Sequence, residues 1–331
     1  MARPATRAVR LIAVALAGAL LAGCGAASGG AVDPDGTVDR TLAVGSTPDG
    51  VAIAPANSPQ AGTVYVSVTD EDVLWTLPPG GQAADATRTA VGRGPRGVAV
   101  APEGTPNAGT IYVLNATAWP IRTATVIRPD GTVADTIAAF GGGQRWLAVA
   151  PAGNPRAGAV FVPNYVDGTV SVVGPDGRPG ALISSAGSGP RGIAISPAGL
   201  PDAGTLYVTN VDATVSVIRP DGTLRTTLTV GSRPQAVAVA PVGLPNAGTI
   251  YVANNGDGTV SVFDPDGTLV ATITVGLGPT GVAVAPPGTP NAGQVYVTNT
   301  GDGTVTVIRP DGTVSATIAV GDGPTGVVVA P

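Results

Sequence analysis

The chain has 331 residues with 17 basic and 22 acidic side chains, a formal net charge of −5. Every base is an arginine, and neither lysine nor histidine occurs. The acidic balance argues against nucleic acid or an anionic membrane surface as partner, since both are held chiefly by clustered positive charge. The missing histidine removes His-dependent triads, His metal ligands and the commonest general base.

The chain opens on a segment with the pattern of an export address. Arg3, Arg7 and Arg10 precede the apolar run Leu11 to Leu21, which is short for a bilayer span, and Leu21-Ala22-Gly23-Cys24 follows. A charged start, a short apolar stretch and small residues at the cut define a secretory signal. The ending resembles the bacterial lipobox, which implies that Cys24 is acylated and becomes the new N-terminus. Cys24 is also the only cysteine, so no internal disulfide can form. Expected boundaries are a lipoprotein signal over 1–23, a short linker over 24–31 and one β domain over 32–331. Three arginines leave with the signal, which makes the remainder more acidic, about −8.

Beyond the linker the sequence repeats itself. A Val-Ala-Val-Ala-Pro phrase ends at Pro55, Pro102, Pro151, Pro197, Pro241, Pro286 and Pro331, about 44 to 49 residues apart. That period falls in the range of propeller blades. Each unit reads as four short strands: A as at Gly281–Ala285, B as at Thr249–Val252, C as at Thr214–Ile218 and D as at Ala271–Val275. Strand A, made of small residues, suits the crowded centre of a ring. Strands B and C carry β-branched and aromatic residues. One large aromatic recurs on strand B at Tyr65, Tyr112, Phe161, Tyr207, Tyr251 and Tyr296, and is read as filling the gap between blades. A Pro-Asp-Gly turn recurs between C and D at Pro34, Pro129, Pro175, Pro220, Pro265 and Pro310, whereas the first unit has Pro78-Pro79-Gly80-Gly81.

Tyr-Val-Thr-Asn at Tyr207–Asn210 and Tyr296–Asn299, with Thr-Val-Ser-Val-Ile and Gly-Val-Ala-Val-Ala-Pro, resembles the YVTN family of bacterial β-propeller repeats. The Pro-Asp-Gly turn is also similar to NHL-type repeats and the wider gluconolactonase-like propellers. The resemblance spans nearly all of Val32 to Pro331 and implies fold more than activity. Six complete units run from Val51 to about Val320. A C-like strand and turn (Val32–Thr37) and a D-like strand (Thr41–Val44) precede them, and an A-like strand (Gly326–Ala330) follows. Propellers close by sharing a blade between their ends. The expected architecture is therefore an all-β, seven-bladed propeller whose last blade is shared and incomplete, the sequence stopping short of a further B strand. A six-bladed ring with spare terminal strands is the alternative.

In propellers, ligands usually bind on the face shared by the D–A and B–C loops. The D–A loops here carry Asp49, Arg93, Arg96, Arg145, Trp146, Arg191 and Arg233. Arginines converging there could hold a carboxylate or phosphate bidentately. Blades 4 to 6 are near-copies, while blades 1 to 3 hold all three tryptophans. The long B–C loop of blade 2 contains Trp119, and blade 3 replaces Pro-x-Gly by Gln144-Arg145-Trp146. Candidate ligand-binding residues are thus Arg93, Arg96, Trp119, Arg145, Trp146, Arg191 and Arg233. The Asn ending each B strand (Asn115, Asn164, Asn210, Asn254, Asn299) is read as a turn residue bonding nearby backbone. Asp33 to Asp39 has the look of a calcium loop without its downstream Glu and is read as an ordinary turn.

No catalytic residue, metal site or cofactor is assigned. Streptogramin-lyase propellers use His, which this chain lacks, and no acid lies on an A strand where the gluconolactonase-type resemblance implies metal ligands. The reading is a non-catalytic extracytoplasmic propeller, tethered to the cell membrane through lipid on Cys24. It binds an envelope protein, a glycan or a small anionic ligand, and no nucleic acid. The alternative is a metal-dependent lactonase-like hydrolase using Asn side chains and Asp49; a third is a purely structural envelope protein.

Overall fold

β-Branched runs punctuated by Gly- and Pro-containing turns cannot sustain helices but pair readily as strands. The computed structural model describes residues 29–32, 38–42, 44–45, 47–116, 122–184 and 186–330. Strands β1 (Gly29–Val32) and β2 (Val38–Leu42) form a sheet of two. Blade 1 follows with β3 (Pro48–Ile53), β4 (Val64–Val68), β5 (Val73–Leu77) and β6 (Thr87–Ala90). Blade 2 holds β7 (Pro95–Val100), β8 (Ile111–Asn115), β9 (Arg122–Ile127) and β10 (Val133–Phe140). Blade 3 has three strands, β11 (Ala148–Val149), β12 (Val160–Asn164) and β13 (Thr169–Val173). Blade 4 is β14 (Pro190–Ile195), β15 (Leu206–Asn210), β16 (Thr214–Ile218) and β17 (Leu224–Thr229). Blade 5 is β18 (Pro234–Val239), β19 (Ile250–Asn254), β20 (Thr259–Phe263) and β21 (Leu269–Thr274). Blade 6 is β22 (Pro279–Val284), β23 (Val295–Asn299), β24 (Thr304–Ile308) and β25 (Val314–Ala319).

Every blade is an antiparallel meander from the inner A strand to the outer edge, and consecutive A strands from blade 1 to blade 6 touch. The core lies in the seams between blades. Tyr65 and Leu74 of blade 1 pack with Val98, Ile111 and Val113 of blade 2, and Tyr207 and Val217 of blade 4 pack with Val237, Ile250 and Val252 of blade 5. The aromatic column of strand B therefore fills the seams, as its spacing predicts. Each fully buried aliphatic side chain there contributes about 1.5–3 kcal/mol. Close approach of the A strands requires glycine. A Cβ at Gly50, Gly97 or Gly192 would fall 2.0, 2.5 or 2.1 Å from the carbonyl oxygen of Arg96, Arg145 or Gln235 on the next blade. Hydroxyls on strand B stitch the same seam: Thr209 Oγ1 donates to the Gln235 carbonyl at 2.7 Å, and Ser67 Oγ to that of Arg96.

Two expectations need correction. Among the described residues the ring has six blades, not seven, and blade 3 lacks a full D strand. Among the described residues the terminal pieces do not merge into a seventh sheet: β1 and β2 form a sheet of two, and the segment from Pro324 to Ala330 makes isolated bridges at Pro324 and Val329 but no strand. A blade grows by pairing outward from A through B, and among the described residues no B strand pairs with either piece. The segment instead wedges between blades 6 and 1. Val327 and Val329 pack on Tyr296 and Val305, while Val328 and Ala330 reach the cluster of Val64, Val66 and Trp75. Thr298 Oγ1 donates to the Thr325 carbonyl (3.0 Å) and Thr325 Oγ1 to that of Asp49 (3.4 Å). In blade 3 the outer segment carries Pro179-Gly180 where blades 2, 4, 5 and 6 have Val133-Ala134, Leu224-Arg225, Leu269-Val270 and Val314-Ser315, and among the described residues the bridges Val170–Ile183 and Val173–Pro179 remain. Proline has no N–H for a ladder, and the strand breaks there.

Candidate functional site

The residue after the first proline of each A strand occupies one position around the ring. In chain order these are Asp49, Arg96, Arg191, Gln235, Thr280 and, in the closing segment, Thr325, with Arg145 at the matching place in blade 3. After the opening proline the A–B ladder of blades 1, 2, 4, 5 and 6 shifts register as at a bulge. Such bulges re-aim side chains at a sheet's rim.

Contrary to the expectation of D–A loop positions and of A strands without acids, Asp49, Arg96 and Arg191 lie on the A strands β3, β7 and β14, and Asp49 anchors one side of this mouth. Its Oδ2 accepts from Arg96 Nη1 at 2.8 Å and its Oδ1 from Arg145 Nη2 at 2.9 Å. The Asp49 side chain is only 10 % exposed, whereas the arginines are 34 % and 35 % exposed, so solvent weakens a pairing that would be strong in a dry site. Two guanidiniums on one carboxylate leave a positive excess.

Across the mouth, Arg191 has no carboxylate partner among the described residues. Its Nη1 donates to Gln235 Oε1 at 3.1 Å, and its guanidinium lies 4.9 Å from the centre of the Tyr165 ring. Arg145, Trp146, Tyr165, Arg191, Gln235 and Gly143 line a cavity of about 170 Å³. Nε of Arg145, Nε of Arg191 and Nε1 of Trp146 are buried N–H donors that meet no acceptor among the described residues. The arrangement offers donors and positive charge beside two aromatic faces, a setting suited to an oxyanion with a compact body.

The loops around the mouth are tied down. Asn164, Asn210, Asn254 and Asn299 are fully buried, and each donates through Nδ2 to two hydroxyls of strand C, such as Thr259 (3.0 Å) and Ser261 (2.9 Å). Their Nδ2 groups do not bond nearby turn backbone, as the sequence suggests, because the Thr and Ser hydroxyls opposite offer paired acceptors; Asn164 Oδ1 accepts from the Gly141 N–H at 3.1 Å. Asp167, Asp257 and Asp302 each accept an N–H of the loop entering their own blade, from Gly142, Ser232 and Leu277.

Of the residues singled out from sequence, Arg96, Arg145, Trp146 and Arg191 converge on the mouth. Arg93 and Arg233 are exposed loop residues, Arg233 at a positive φ of 53°, and neither lines the cavity. Trp119, Cys24 and the 33–37 turn lie outside the described residues. Gln235 was missed, and Tyr165 was not counted among the binding residues; aligning the residue after each A-strand proline would have revealed Gln235. Among the described residues, no three acidic or cysteine side chains gather as metal ligands would.

Comparison with known proteins supports the fold alone. No protein-family model matches the chain, and no curated protein matches it. Among solved structures, hydrazine synthase from Kuenenia stuttgartiensis is similar with a TM-score of 0.72 at 17% identity, covering 95% of this chain and 100% of that one. A functionally unknown protein from Desulfotomaculum acetoxidans gives 0.70 at 17% identity, covering 90% and 93%. Virginiamycin B lyase from Staphylococcus aureus gives 0.63 at 11% identity, covering 81% and 83%. The chain is a β-propeller repeat protein; its kinship to the YVTN or NHL repeats stays a resemblance.

Proposed function

We propose that this chain is a non-catalytic extracytoplasmic propeller of the YVTN/NHL type, anchored by lipid on Cys24, that holds a small oxyanion-bearing ligand at its mouth. The observation that carries the reading is Arg191: a guanidinium stacked on Tyr165, without a carboxylate partner among the described residues, on the wall of a cavity with further unpaired N–H donors. A carboxylate or phosphate would accept from Arg191, Arg145 and Trp146 together, and the aromatic walls would cover its body. The cavity is small, below the roughly 300 Å³ at which drug-sized ligands begin. The lactonase alternative draws no support from Asp49, because both oxygens of that carboxylate are taken by arginines.

Calorimetric titration of the purified chain with small carboxylates, sulfate and phosphate tests the reading. At least one should bind, and Arg191→Ala should weaken it roughly tenfold or more, the scale of a lost charge-assisted hydrogen bond. Silence across the panel, or affinity untouched by Arg191→Ala, would leave the propeller as a structural element.

A further inference from the structure

Every B-strand tyrosine but one has its hydroxyl engaged by the residue five places earlier. Asn107 meets Tyr112 at 2.8 Å, Asp202 meets Tyr207 at 2.6 Å, Asn246 meets Tyr251 at 2.9 Å and Asn291 meets Tyr296 at 2.9 Å. Blade 3 departs from this in a compensated way: the tyrosine becomes Phe161 and its partner Arg156, which lies over the ring at 6.0 Å. Blade 1 departs without compensation. Its partner position holds Gln60, and the Tyr65 hydroxyl makes no hydrogen bond among the described residues although Tyr65 is only 2% exposed. Burial pushes that phenol's pKa up, and nothing opposes it.

The same seam carries an insertion. Where other blades turn from C to D on Pro-Asp-Gly, blade 1 runs from Pro78 through a single 3-10 turn, Ala83–Asp85, before β6. A cavity of about 250 Å³ results between blades 1 and 2, on which Tyr65, Gln60, Asp85 and Asp130 converge against walls of Ile111 and Pro129. Asp85 Oδ2 accepts from the Gln82 N–H at 2.6 Å, and Asp130 Oδ1 from the Thr132 N–H at 2.9 Å. The second oxygen of each carboxylate has no hydrogen-bond partner among the described residues, and no arginine lines the cavity.

We propose that this seam is a second ligand site, independent of the mouth, for a small organic cation: a primary ammonium on a short apolar chain. Two carboxylates and a phenol oxygen supply acceptors to the three N–H bonds of an ammonium, and the apolar walls suit a few methylenes. The size again restricts the ligand to something smaller than a drug. A neutral sugar could use the same acceptors but would leave Asp85 unanswered and Asp130 answered only by nearby Arg128.

The test is calorimetric titration of the intact chain with butylammonium chloride, with 1-butanol and glucose as neutral comparisons. The amine should bind and the neutral compounds should not. Asp85→Asn and Asp130→Asn should each weaken binding roughly tenfold, and Tyr65→Phe a few-fold. Asp221→Asn, the matching turn carboxylate of blade 4, should change nothing. No binding of the amine, equal binding of butanol or glucose, or indifference to Asp85→Asn would overturn the assignment.

Discussion

Asn246 shows how a single amide can join two blades. It is 8% exposed, and its Nδ2 donates both to the Tyr251 hydroxyl (2.9 Å) and to the Gly293 carbonyl of the next blade (3.0 Å). Asn246→Ala would leave the two acceptors buried and without that donor, at a cost of about 1–3 kcal/mol. Urea denaturation should show the midpoint fall; an unmoved midpoint would mean that apolar packing alone holds the seam. This pairing is legible in the sequence as two columns five residues apart, because both members recur. The role of Asn254 and its counterparts is not, since a turn asparagine and an inward-facing one look alike until the hydroxyls of strand C are placed beside them. Asp49 was legible as a charged residue near the mouth but not as the partner of two arginines, one of them two blades away.

The Pro-Asp-Gly-Thr turn behaves as a small electrostatic element. In Asp130, Asp221 and Asp311 the carboxylate accepts first from the Thr hydroxyl and then from its N–H, and in Asp266 the backbone N–H of Thr268 leads. All four pKa values are held below the ordinary carboxylate range. A lowered folded-state value means the stabilisation is present above the unfolded value, near about 3.9, and is lost as pH falls through the folded one. With no histidine to titrate between pH 5 and 8, the melting temperature should be flat across that interval and decline below about pH 4. A sloping profile near neutrality would contradict this. The turns are exposed, so the decline should be gradual. Strand periodicity and turn chemistry made these elements plain in the sequence. The outer segment of blade 3 escaped, where one proline outweighs the repeat's pattern, and so did the closing A-like segment, which forms no strand among the described residues.

For the whole molecule, repetition supplies the ring and departures from it supply the sites. Blades 4 to 6 keep the pattern, while blade 3 replaces Pro-x-Gly with Gln144-Arg145-Trp146 and borders the donor-rich cavity. Blade 1 loses its tyrosine partner and borders the acidic one. The number of blades was the part least available from sequence, because it depends on whether the terminal pieces find each other in space. They do meet, Leu42 and Val44 packing with Val328 and Ala330, but among the described residues they form no common sheet, and the closing segment wedges between blades 6 and 1. The central claim is that the mouth selects an oxyanion, and a crystal soaked in selenate tests it most directly. An anomalous peak should stand within hydrogen-bonding distance of Arg191 and Trp146. Peaks confined to Arg93, Arg233 or other exposed arginines, with none at the mouth, would contradict it.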